Sequence, residues 1–146
     1  MRKIIAALFL ILITSYTPAE TDARGVAETT KLAQQGNLHA QLTLGLMYYE
    51  GEGVQQNYAE AKSWIEKVAQ KDDAGAQKFL GMMYMMGRGV RQDYAQAKSW
   101  YEKAAHQGHV SAQYILGLMY RIGRGIRQDY VQAKDWYEKA AHQGHA

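Results

Sequence analysis

An all-α solenoid of two-helix repeats is the fold class this sequence predicts, and three observations predict it. Trp64, Trp100 and Trp136 stand 36 residues apart, as do Gly53, Gly89 and Gly125, and Tyr58, Tyr94 and Tyr130. Residues 74–109 and 110–145 are identical at 26 of 36 positions with no insertion, so the copies share one conformation. Within each copy the apolar side chains recur at helical spacing. Self-similarity at a period of roughly 20–50 residues marks stacked units, each too small to bury its apolar face alone.

The chain opens with Arg2-Lys3, an apolar run from Ile4 to Ile13, and Thr17-Pro18-Ala19. A basic start, a short apolar core and a small-residue exit describe a secretory signal peptide. Its expected extent is residues 1–19, with cleavage after Ala19 and Ala23 as the alternative. The run is shorter than the ~20 apolar residues a spanning helix needs. Residues 20–36 read as a degenerate half-repeat that covers the first full one. Ala33-Gln34-Gln35-Gly36 matches Ala105-His106-Gln107-Gly108, without the Trp and Tyr of a full copy. Three repeats follow, at residues 37–72, 73–108 and 109–144.

In the first repeat Ala40, Leu44, Met47 and Tyr48 share one helix face, and Tyr58, Ala61, Trp64, Ile65, Val68 and Ala69 share another after a Gly-rich loop. Leu44, Tyr48, Trp64 and their equivalents are expected in the core. Asn57, Asp93 and Asp129 are expected to cap the second helices, with Glu60, Gln96 and Gln132 completing reciprocal capping boxes. Lys62–Glu66, Lys98–Glu102 and Lys134–Glu138 are i, i+4 pairs on those helices. Gly36, Gly108 and Gly144 stand where a helix ends in the left-handed conformation, with Asp72 in the same place in the first repeat. Gly45, Gly81 and Gly117 interrupt the first helices, where Gly costs up to ~1 kcal/mol against Ala. Their recurrence predicts close helix approach, with an aromatic ring of the neighbouring helix against them.

Composition narrows the function. Arg2 and Lys3 account for two of the 17 basic side chains, which leaves 15 against 14 acidic ones and no electrostatic footprint for nucleic acid. The chain holds no cysteine, so neither disulfides nor thiolate chemistry are available. It has no Ser-x-x-Lys, Gly-x-Ser-x-Gly, His-Glu-x-x-His or P-loop pattern. No catalytic residue and no cofactor are expected. His106, His109, His142 and His145 form two His-Gln-Gly-His turns, but a Gly turn fixes no tetrahedral set, and no metal is expected there.

Positions where the copies differ are the candidates for function. Leu42, Lys78 and Tyr114 form one row; Tyr49, Met85 and Arg121 form another, with Met86 and Ile122 beside it. Tyr, Met and Arg are favoured at interfaces, so these rows are the expected partner-binding face, on the concave side lined by first helices. Arg88, Arg91, Arg124 and Arg127 form a basic loop rim, where the first repeat has Glu52 and Gln55. Such a rim steers an acidic partner. Beyond Gly144 the chain reaches the point where a fourth repeat would begin, so the last helix is expected to expose an apolar flank open to end-to-end self-association.

The pattern Ala-Gln-x-x-Leu-Gly-x-Met-Tyr-x-x-Gly-x-Gly-Val/Ile-x-Gln-Asp-Tyr-x-x-Ala-x-x-Trp-Tyr-x-Lys-Ala-Ala-x-Gln-Gly is written out in residues 76–108 and 112–144, and more loosely in 40–72. It closely resembles the Sel-one-like repeat (SLR), of the tetratricopeptide-repeat-like superfamily. The resemblance implies a right-handed superhelix of α-hairpins that serves as a non-catalytic adaptor for a protein or peptide partner. It also implies a bacterial exported protein, periplasmic or secreted, with no stable membrane insertion once the leader is removed. An immunity or inhibitor protein against a toxin or secreted enzyme is the alternative. Some cysteine-rich relatives are described as penicillin-binding or β-lactamase-like; this chain has none of their cysteines.

Overall fold

A computed structural model describes residues 18–144. Among them are seven helices and no strand: α1 Pro18–Gln34, α2 Leu38–Glu50, α3 Tyr58–Ala69, α4 Ala74–Met86, α5 Tyr94–His106, α6 Val110–Ile122 and α7 Tyr130–Gly144. The expected leader lies outside the described residues, apart from Pro18 and Ala19 in the first turn of α1. Each helix packs on the one before and the one after it, and the two helices of a repeat meet more extensively than helices of adjacent repeats. No described helix is long and apolar enough to cross a membrane.

The hairpin within each repeat closes over the helix glycine. A Cβ at Gly81 would stand 3.1 Å from the Tyr101 ring, and one at Gly117 2.7 Å from the Tyr137 ring. In the first repeat the neighbour is aliphatic: Ile65 Cγ1 lies 2.7 Å from the Cβ that Gly45 lacks. The next residue outward in each hairpin is a buried leucine: Leu44, Leu80 and Leu116. Tyr101 is fully buried, and its hydroxyl has no partner among the described protein groups. Burial pushes that phenol far above its usual pKa range, so it remains protonated.

The tryptophans do not sit where the core expectation put all three. Trp136 is buried, but Trp64 and Trp100 are half-buried, as are Tyr48, Tyr84 and Tyr120. Each indole packs back onto the preceding junction and carries a lysine ammonium over its outer face. Lys67 lies 4.0 Å from the Trp64 ring centre, Lys103 4.1 Å from Trp100 and Lys139 4.2 Å from Trp136. The indoles thus lid the inter-repeat seams, with a cation favoured on the exposed π-face.

Chain reversals follow one design. Gly51, Gly87 and Gly123 close the first helices in the left-handed conformation, and each N–H donates to the carbonyl of the buried or half-buried methionine four residues earlier. Gln56, Gln92 and Gln128 then donate to the next orphan carbonyls, those of Tyr49, Met85 and Arg121. The side chains of Asn57, Asp93 and Asp129 each accept two N–H groups of the following helix, as expected of caps. The reciprocal half of the capping box is not what holds the cap backbone. The cap N–H donates instead to Tyr48, Tyr84 or Tyr120 at 2.8–3.0 Å, which ties the second helix to the end of the first.

Gly36 and Gly108 adopt φ near +90°, and Asp72 adopts φ 60°, as the helix-end reading required. Gly144 differs: α7 runs through it. Lys62–Glu66 and Lys98–Glu102 pair at 2.8 and 2.7 Å, which raises both lysine pKa values through the hydrogen bond to the carboxylate. Lys134–Glu138 is longer, 3.6 Å, and exposed.

A buried amide ladder joins the repeats. Gln77 Nε2 donates to the Ala69 carbonyl at 3.2 Å, and its Oε1 accepts from Gln107 at 2.8 Å. Gln113 repeats this with Ala105 at 3.0 Å and Gln143 at 3.0 Å. Gln41 reaches the Ala33 carbonyl at 3.0 Å, so α1 occupies the place of a second helix and covers the first repeat. Unsatisfied, each buried amide would cost about 1–3 kcal/mol.

Two glycine substitutions are expected to act in opposite directions in thermal unfolding. Gly89 has φ 72° and its Cβ would collide with the Tyr58 carbonyl, so Gly89→Ala lowers stability by about 2 kcal/mol or more. Gly25 lies inside α1 with open space around it, so Gly25→Ala raises stability by roughly 0.5–1 kcal/mol. Tyr101→Phe removes the orphaned hydroxyl; urea titration should find the variant as stable as the parent or more so, by up to about 1 kcal/mol.

Candidate protein-binding surface

The two divergent rows divide on their exposure. Tyr49 is buried, Leu42 and Met85 are half-buried against the cores, and Lys78 is half-buried with its ammonium 5.2 Å from the Phe79 ring. Met86, Tyr114, Arg121 and Ile122 are exposed. Tyr49 differs from the expected surface position because it closes the core between the first two repeats. Its ring meets Tyr58 and Phe79 edge-on at 5.2 and 5.0 Å. Met86, Arg121 and Ile122 end their helices at the Gly-rich loops, so the exposed members gather at one edge of the solenoid.

The four rim arginines, Arg88, Arg91, Arg124 and Arg127, are all exposed on that same edge. They are not equivalent. Arg88 donates to the Tyr49 hydroxyl at 2.6 Å and its guanidinium lies 5.4 and 5.5 Å from the Tyr49 and Tyr58 ring centres. Those contacts raise its pKa further, the hydrogen bond most. Arg124 lies 5.9 Å from the Tyr94 ring, one repeat on. Each of these two reaches back to the tyrosine that starts the preceding second helix. Gly89 and Gly125 make that approach possible, since a side chain there would strike Tyr58 or Tyr94. Arg91 lines a groove of about 570 Å³ with Tyr84, Tyr94 and Gly125. No ion pair among the described residues involves any rim arginine.

A second, larger groove of about 840 Å³ lies on the flank of the third repeat, lined by Val110, Tyr114, Ile115, Arg121 and Tyr137. Tyr114 stacks obliquely on Tyr137 there, 5.4 Å between ring centres. The ring-on-arginine contacts were not read from the sequence. The shared signal was present, since Arg88 and Arg124 are identical in two copies while Glu52 replaces them in the first.

The Sel1 repeat family matches residues 38–73, 74–109 and 110–145. No curated protein matches the chain. Among solved structures, a protective antigen present in uropathogenic Escherichia coli strains and displaying an SLR fold is 46% identical, with a TM-score of 0.77. The match covers 80% of this chain and 25% of that one, so this chain spans about a quarter of that relative. A Sel1 repeat protein from Oxalobacter formigenes is 39% identical over 81% of this chain and 90% of that one, with a TM-score of 0.77. Helicobacter pylori cysteine rich protein B is 23% identical over 88% and 92%, with a TM-score of 0.67, a likeness of fold.

His106 and His109 serve local structure at the opposite edge, and His145 lies outside the described residues. His106 meets the Trp136 ring at 5.4 Å. His109 caps α6, its Nδ1 accepting the Ala112 N–H at 3.4 Å, where Asn37 and Asp73 cap α2 and α4 at 2.9 and 2.7 Å. No group of three or more metal-ligating side chains occurs among the described residues. Burial, then the Lys78 charge, lowers the His109 pKa below its ordinary 6.5, against a smaller opposing effect of Asp73. Near and below that value the unfolded chain therefore binds more protons than the folded one. The stabilisation is fully present above pH ~6.5 and is lost as pH falls through the folded value. His109→Asp should stabilise the fold by about 0.5–1 kcal/mol at pH 7 and flatten the pH dependence of Tm between pH ~5 and 7.

Proposed function

The chain belongs to the Sel1 repeat family, and on that footing we propose that it is an exported, non-catalytic scaffold that binds a protein or peptide partner. Sel1 repeat proteins generally act through protein–protein contacts and are generally non-catalytic repeat scaffolds. The observation that carries the reading to this chain is the gathering of exposed Met86, Arg121 and Ile122 at one edge, with Tyr114 beside the flank groove. These side chains are large, stand at positions that differ between the repeats and have no role in the buried ladder or the caps. Methionine and arginine adapt to a partner surface through flexible stems, and tyrosine adds contact area at low entropy loss.

Export rests on the basic-apolar-small pattern of residues 1–19, which also makes the periplasm or the exterior the place where the partner is met. Replacing Met86, Tyr114, Arg121 and Ile122 together with alanine should remove partner capture from an envelope extract and leave the helical circular dichroism unchanged. Capture by the quadruple variant at parental level would place binding elsewhere on the molecule.

A further inference from the structure

Resting on that scaffold reading, we infer that the loop edge of the second and third repeats docks an acidic segment of polypeptide, its carboxylates taken by the exposed arginines of that edge, Arg91 and Arg127 first, with Arg88 and Arg124 beside them. The guanidiniums of Arg88 and Arg124 lie 5.4–5.9 Å from tyrosine ring centres, and Arg88 also donates one bond to a phenol. A guanidinium held in this way keeps free N–H groups along its edge, the geometry that receives a carboxylate in two parallel hydrogen bonds. Holding the side chain beforehand also reduces the entropy lost on binding.

The groove beside Arg91 supports the same occupant. Two tyrosines, Arg91 and the capping Asp93 line it, so the arginine is the group there that receives a carboxylate on an apolar stem, Asp93 being engaged by two helix N–H groups. The corresponding groove of the first repeat, about 620 Å³, is lined by Tyr48, Gln55 and Glu60. The cleft thus recurs in the first two repeats, and the second copy gains an arginine where the first has Gln55. Asp93 and Asp129 are the acids on the basic edge, and each engages a side-chain oxygen in capping a helix. Exposed Met86 and Ile122 flank the arginines and give aliphatic residues of the segment a place to rest.

A nucleic acid or an anionic membrane fits less well. Either presents negative charge over a wide area, and the neighbouring first loop carries exposed Glu50 and Glu52. A short segment engages the basic loops alone, with its acidic part toward the third repeat.

The test uses the purified chain and fluorescein-labelled peptides of about twelve residues, which at ~3.4 Å per residue are long enough to cross two loops. One peptide alternates Glu or Asp with Leu; its twin carries Gln and Asn in place of the acids. The acidic peptide should bind, the twin should not, and affinity should fall at least about tenfold between ~50 and ~250 mM NaCl. The double variant Arg91→Glu, Arg127→Glu should lose binding, whereas Lys103→Glu at the opposite edge should retain it. Equal binding of the twin, no effect of the double reversal, or tighter binding of single-stranded DNA or phosphatidylglycerol vesicles would overturn the inference. If the double variant still captures its partner from an envelope extract, the acidic-segment inference fails while the scaffold reading stands. If the quadruple alanine variant binds as the parent does but the double reversal does not, the inference stands and the wider surface is wrong.

Discussion

A Cβ atom at position 81 would lie 3.1 Å from the Tyr101 ring, inside ordinary van der Waals contact, and its absence lets α4 and α5 close on each other. The other repeats close in the same way over Gly45 and Gly117. Glycine inside a helix costs roughly 0.8–1 kcal/mol in propensity. That loss is offset because the close approach buries the leucine beside each glycine and a large side chain from the facing helix. It also sets the depth at which each first helix lies, and the amide ladder depends on that depth. Gln77 bridges the Ala69 carbonyl at the end of α3 and the Gln107 side-chain amide after α5 only because α4 lies close enough to both. A solenoid is quasi-one-dimensional, so small errors in each unit accumulate along the stack. A buried, directional bond at every junction restricts that drift more than apolar contact does, because amides demand both distance and angle.

The two edges of the stack are held by different means. At the loop edge, the cap N–H of each second helix is bonded to the tyrosine carbonyl at the end of the first. One residue thereby serves the cap and the hinge, and the loop cannot open without uncapping a helix. At the other edge the caps are single side-chain contacts, from Asn37, Asp73 and His109. The His109 contact is the longest of the three, and its cap is an imidazole whose pKa burial holds below the ordinary 6.5, so it weakens in acid.

The fold was legible because periodicity reports burial directly. The helix pairs, the second-helix caps and the crowding at Gly45, Gly81 and Gly117 all came from spacing and residue type. What spacing could not give was direction around each helix. Trp64 and Ile65 are neighbours in sequence, yet the smaller residue is fully buried and the larger one lids a seam. Tyr49 diverges between copies and so had the marks of a surface residue. It is buried because the first junction is filled by aromatic rings, where the second uses Met85 and its neighbours. The reciprocal capping box failed for a related reason. The cap N–H has a better partner nine residues back along the same hairpin, in a tyrosine carbonyl that the sequence cannot orient.

Divergence between repeats has two causes, and the arginines separate them. Arg88 and Arg124 each approach the ring of the tyrosine that begins the previous second helix, at 5.5 and 5.9 Å. The sequence position one repeat before Tyr58 is Asp22, not an aromatic residue, and Glu52 stands in the arginine position. That change has a structural cause and by itself says little about a partner. Arg91 and Arg127 make no ring contact and no hydrogen bond among the described residues, yet they replace Gln55 in the same two copies. Nothing in the packing requires a cation there. A charge that the fold does not need, repeated in two loops and lining a cleft in one of them, is better explained by what the edge receives than by what supports it.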